Sequence, residues 1–104
     1  MARISFKMKL KEGCREEYIK RHNELWPELA KSLKNSGVSD YSIFLDSETN
    51  ILFAVQNVTG NKGSQDIGNE AIVQKWWKYM ADIMDTNPDY SPVSIPLEEV
   101  FYFE

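Results

Sequence analysis

The stretch EEYIKRHNELWPEL, residues 16–29, holds the only histidine of the 104-residue chain. Tyr18 stands four positions before His22, and Leu25 and Leu29 follow it. On a helix these positions share a side, so a phenol and an imidazole are aimed where leucines point. An imidazole takes or gives a proton near neutral pH, which suits it to acid–base catalysis. A core histidine satisfied by one hydrogen bond is the plainer reading. Three features favour a pocket. Polar groups set among leucines cost stability unless paired. Pro27, shortly after His22, can open a cavity. A later helix supplies adjacent tryptophans.

Those tryptophans, Trp76 and Trp77 in QKWWKYMADIM, point about 100° apart on a helix, so they cannot both face the core centre. Trp76 falls in the core stripe, and Trp77 on its flank lines a cleft edge. Core packing accounts for such a pair in most helices. Beside convergent polar groups, indoles also suit a sugar, whose C–H face stacks on them while its hydroxyls take hydrogen bonds. Tyr41 opens a strand and is either a β-former or a pocket residue. Lys78 and Asp82, one turn apart, read as a surface ion pair. Cys14 is a poor nucleophile for His22, because two helical turns, roughly 12 Å, separate them. No spacing suggests a metal site, a phosphate loop or a serine-hydrolase elbow.

The elements that must hold these residues follow from periodicity. Residues 2–10 alternate, with Ile4, Phe6, Met8 and Leu10 on one face. A helix is expected over 15–35, kinked or restarted around Asn23–Pro27, with Gly37 as its stop. Residues 38–46 and 51–58 form a hairpin around SETN. Tyr41, Ile43 and Leu45 share a face of its first strand; Ile51, Phe53 and Val55 share one of its second. The glycine-rich 59–68 reads as a loop running into a weak helix start, and 70–84 as a helix whose apolar stripe is Ile72, Trp76, Tyr79 and Ile83, widened by Val73, Trp77, Met80 and Met84. Three prolines bar regular structure from DTNPDYSPVSIP, and LEEVFYFE closes the chain as a strand. The order is βαββαβ, an α+β, ferredoxin-like arrangement in one domain over 1–104. One sheet face is left without helices, and packing it on a second copy would cover it.

Composition narrows the function classes. The net charge of −4 argues against nucleic acid or an anionic membrane as partner, since both select clustered Lys and Arg. Lys9, Lys11, Arg15, Lys20, Arg21, Lys31 and Lys34 are interspersed with acids and read as solvated surface. One cysteine excludes an internal disulfide. No segment reads as a signal peptide or membrane span, so a soluble, cytoplasmic protein is expected.

Taken together, EEYIKRHNELWPEL, YSIFLD, WWKYMADIMDTNPDYSPVS and LEEVFYF resemble the L-rhamnose mutarotase family over nearly the whole chain. The departure lies at 59–69, which is glycine-rich where the family would have a more helical, aromatic-containing segment. The resemblance implies a dimeric α/β barrel, a homodimer, and cofactor-free exchange of the α and β anomers of L-rhamnose. It makes His22 the proton donor and Tyr18, Tyr41, Trp76 and Trp77 the sugar contacts. Mutarotation opens the hemiacetal, lets C1–C2 rotate and closes the ring on the other face. Opening needs a proton on the ring oxygen and one removed from the anomeric hydroxyl. His22 suits the first transfer, and Tyr18, Tyr41 or a water would relay the second. Cofactor-free monooxygenases and haem-degrading enzymes share the architecture and form a second reading, with a non-catalytic sugar-binding module a third.

Overall fold

The computed structural model describes residues 2–104. Its elements are β1 (Ala2–Lys9), α1 (Arg15–Asn23), α2 (Pro27–Asn35), β2 (Val38–Asp46), β3 (Ile51–Val58), α3 (Ala71–Met80) and β4 (Ile95–Leu97). The strands form one antiparallel sheet in the order β2-β3-β1-β4, the ferredoxin-like order.

Alternation divides the sheet. In β3, Leu52, Ala54, Gln56 and Val58 are buried, and the residues between them are half-buried. Phe6 and Met8 of β1 stand opposite Ala54 and Leu52. All four belong to the core with Tyr18, Leu29, Val73 and both tryptophans, so this is the helix side. On the other face Lys7 and the largely exposed Phe44 each stand opposite Phe53, and Ile95 pairs with Lys7. Helices leave that face open.

The register of β2 on β3 shifts between Ser39 and Ser42. Ser39 faces Asn57 and Ser42 faces Val55, so Asp40 and Tyr41 together oppose Gln56. Asp40 is the bulge residue, with φ +47° and its carboxylate accepting from Asn57 Nδ2 at 3.0 Å. Beyond it Tyr41, Ile43 and Leu45 turn to the helix side, sharing a face as expected.

The proline break is present as a full interruption. Trp26 is extended (φ −64°, ψ 130°), and Pro27 occupies the first turn of α2, where a missing N–H costs nothing. α2 stops just before Gly37, whose φ of +95° ends the helical path.

Four expectations need correction. The second long helix ends at Met80, not Met84. The chain peels off to meet β1: Lys11 N–H donates to the Ile83 carbonyl at 2.9 Å, and Asp85 N–H to that of Lys9 at 3.0 Å. The centre of its inward stripe is Trp76 with the flanking Val73, Trp77 and Met80, while Tyr79, expected inward, is exposed. The last strand is Ile95–Leu97, which takes the last two residues of the stretch assigned to loop and only the first of LEEVFYFE. Pro96 is tolerated because β4 is an edge strand. Residues 98–104 are irregular, and Val100, Phe101 and Phe103 are exposed. Leu97 already faces Ser5 and β1 begins at Ala2, so little ladder remains for the tail. Finally, Asp82 pairs not with Lys78 but with Arg21.

Candidate active site

Between the helices and the sheet lies a cavity of about 480 Å³, a size typical of small-molecule sites. Tyr18, His22, Tyr41, Trp76 and Trp77, the five residues singled out in the sequence, all line it.

α1 contributes Tyr18 and His22. The imidazole Nδ1 lies 3.0 Å from the backbone carbonyl of Tyr18. A carbonyl only accepts, so Nδ1 carries the proton, and Nε2 of the neutral ring bears the lone pair. The Tyr18 and His22 rings stack with centroids 4.2 Å apart and a 27° interplanar angle. Trp76 meets the imidazole edge-on at 5.5 Å and 88°. The ring is thus held from two sides. Burial pushes the His22 pKa below its ordinary 6.5, and the bond to the Tyr18 carbonyl opposes this more weakly.

Both phenols are driven the other way. Burial raises the Tyr18 pKa, with Tyr41 adding to it. Burial also raises that of Tyr41, opposed by a hydrogen bond with Ser64. At neutral pH the cavity therefore holds an imidazole with a free acceptor nitrogen and two protonated phenols.

Trp76 and Trp77 are both buried, at 7% and 8% exposure, so Trp77 is not on an open cleft edge. Two directions on one helix are both covered because the 63–68 loop closes over the far side. A Cβ at Gly68 would lie 2.6 Å from the Trp77 ring. Trp26, in the break between α1 and α2, stands edge-on to Trp76 at 5.0 Å and stacks on Tyr79 at 5.3 Å.

Arg21 is not solvated surface either, as its side chain is 9% exposed. It binds Glu17 at 2.7 Å, the Tyr79 carbonyl at 2.6 Å and Asp82 at 2.9 Å, and lies 4.3 Å from the Tyr79 ring centroid. It thereby ties α1, one residue before His22, to the C-terminal end of α3.

Sequence reasoning missed Asn23, Ser64 and Gln65 on the cavity wall. Ser64 and Gln65 lie in the stretch set aside as irregular. The one available signal was Gln56, a polar residue at an inward position of an alternating strand. Among the described residues no group of His, Cys, Asp or Glu has a metal-binding arrangement.

A family model described as L-rhamnose mutarotase matches residues 3–103. The chain is 64% identical to an L-rhamnose mutarotase of Formosa agariphila and 64% identical to one of Bacteroides thetaiotaomicron, over the full length of each chain. It is 50% identical to one of Clostridium beijerinckii over 97% of both chains. In structure it is similar to a crystal structure of L-rhamnose mutarotase from Formosa agariphila, with a TM-score of 0.93, 59% identity and full coverage of both chains.

Proposed function

The chain belongs to the L-rhamnose mutarotase family, and from that premise we propose that it interconverts the α and β pyranose anomers of L-rhamnose, with His22 as the acid–base group. The observation that carries the catalytic assignment is the bond from Nδ1 to the Tyr18 carbonyl, which leaves Nε2 as the working nitrogen. Nε2 accepts the proton of the anomeric hydroxyl. The C1–O5 bond breaks as the C1–O1 double bond forms, and the resulting imidazolium gives the same proton to O5. Both oxygens sit on C1, so one imidazole reaches each. After rotation about C1–C2, the reverse steps close the ring on the other face. His22 is then the proton donor to the ring oxygen, delivering a proton it has just collected.

This removes the need for a second base. Phenols held neutral by burial are poor bases but ready hydrogen-bond donors. Tyr18 and Tyr41 are therefore read as donors to sugar oxygens, and Trp76 and Trp77 as the stacking wall. The methyl group of a 6-deoxy sugar suits the apolar lining supplied by Leu29, Ile43, Ile67 and Met80. The free sugar already mutarotates in water, so acid–base help of about 10²–10⁴-fold is a sufficient demand. No cofactor enters this scheme.

The same reading includes a homodimer, supported by the helix-free sheet face bearing Phe44, Phe53 and Ile95. It also includes a cytoplasmic place without nucleic-acid or membrane partners, supported by the net charge of −4 and the lone Cys14. Among the described residues no helix is long and apolar enough to cross a membrane.

The test is saturation-transfer NMR on L-rhamnose with catalytic protein, against His22→Ala, with L-fucose and D-glucose as controls. Rapid transfer between the rhamnose anomeric protons, lost in the variant, is expected. Exchange at the buffer rate with wild-type protein would overturn the activity.

A further inference from the structure

The glycine-rich loop that follows β3 is built into the site by a buried polar clasp. Gln56 is fully buried, on the helix side of β3, and Ser64 is buried at 6% exposure. The Gln56 carboxamide bonds Ser64 twice: its Oε1 accepts from Ser64 N–H at 2.8 Å, and its Nε2 donates to Ser64 Oγ at 2.9 Å. The loop is seated closely enough that a Cβ at Gly63 would lie 2.7 Å from Gln56 Oε1. Gly63 N–H is tied to the Asp66 carboxylate at 2.9 Å. Ser64 Oγ also accepts from Gln65 Nε2 at 3.3 Å and stands 3.4 Å from the Tyr41 hydroxyl.

Hydrogen counting gives this chain a direction. A serine hydroxyl has two acceptor lone pairs and one proton. Both lone pairs face N–H donors, so the proton goes to Tyr41, whose oxygen accepts it. The Tyr41 proton is then free for the cavity. At 3.4 Å this last link is long for an O–H···O bond. It orients the phenol more than it adds energy.

We propose that Ser64, clasped by Gln56, is a positioning residue that turns the Tyr41 hydroxyl into a hydrogen-bond donor toward the sugar. The cavity is thereby polarised, with an acceptor at His22 Nε2 and a donor at Tyr41. The inference rests on the mutarotase reading for its effect on turnover, but not for the link itself.

Two readouts keep these apart. The first is the 13Cζ resonance of Tyr41, assigned by its loss in Tyr41→Phe, in protein without sugar. Ser64→Ala is expected to shift it, because the phenol oxygen loses its donor. The second is a double-mutant cycle in anomer exchange. Ser64→Ala alone should lower kcat/KM several-fold, and should also lower Tm by several degrees, because the buried Gln56 Nε2 loses its acceptor. In the Tyr41→Phe background it should have no further effect on kcat/KM. An unmoved Tyr41 resonance, or an equal loss from Ser64→Ala in both backgrounds, would overturn the proposal. A shifted resonance with no wild-type exchange would instead leave the link standing and overturn the mutarotase reading.

Discussion

At the scale of single residues, a histidine whose Nδ1 proton is committed to a backbone carbonyl starts each cycle as a base. Its burial-lowered pKa keeps it so at neutral pH. The kcat/KM for anomer exchange, corrected for the buffer rate, should therefore be level from about pH 7 upward and fall with acid. The midpoint should lie below the ordinary 6.5. A rate that instead declines as pH rises through this region would mean that the resting enzyme needs imidazolium, and would sink the single-imidazole scheme. Stability follows the same sign. The unfolded chain protonates His22 near 6.5 and the folded chain only at lower pH, so the unfolded state binds more protons in that window. The contribution of neutral His22 is fully present above 6.5 and is lost as pH falls toward the folded value. Denaturant midpoints of wild type and His22→Gln should diverge between these limits. Tyr18→Phe and Tyr41→Phe, which remove only a hydroxyl, should each reduce kcat/KM while leaving the acid limb in place. Full turnover in both would show that neither hydroxyl takes part in the exchange.

Among the elements, the joint between α1 and α3 matters most to the site. Arg21 reaches three acceptors from a nearly covered side chain, whereas Asp82 is 67% exposed. Asp82→Asn should thus shift Tm little, in keeping with the ~0–1 kcal/mol of exposed pairs. Arg21→Met also abandons the Tyr79 carbonyl and Glu17, and should cost about 2 kcal/mol, roughly 10 °C in Tm. It should lower exchange as well, because His22 follows directly on α1. Comparable melting curves for the two variants would refute this ranking. The elements were legible where one local rule decided them. Pro27 announced the restart of the helix, strict alternation announced β1, and the polar SETN turn announced the hairpin of β2 and β3. The end of α3 was hidden because Ile83 and Met84 stay buried after the helix stops, so apolar spacing continues without helical hydrogen bonds. The last strand was misplaced because the consecutive β-forming residues Val100, Phe101, Tyr102 and Phe103 imitate a ladder that β1 is too short to provide. In the site, residues on regular elements could be found by spacing. Ser64 could not, since it reaches the cavity through a pairing with Gln56 that no periodicity encodes.

For the molecule as a whole, one sheet divides its work by face, with the cavity on one side and association proposed on the other. Light scattering should give about twice the 12.1 kDa chain mass. Phe53→Asp, at the middle of the open face, should give monomers; an unchanged mass would move the interface elsewhere. The division depends on which way each strand residue points, and in β2 the bulge governs this. Deleting Asp40 or deleting Ser42 would each leave a regular strand of the same length, yet with opposite results. Without Asp40, Tyr41 alone opposes Gln56 and keeps its place in the cavity. Without Ser42, Tyr41 moves opposite Val55, onto the outer face, and Asp40 turns inward. Chain length in β2 is thus free to vary at one position and fixed two positions later, so insertions and deletions here should be filtered by where they fall rather than by how many residues they change.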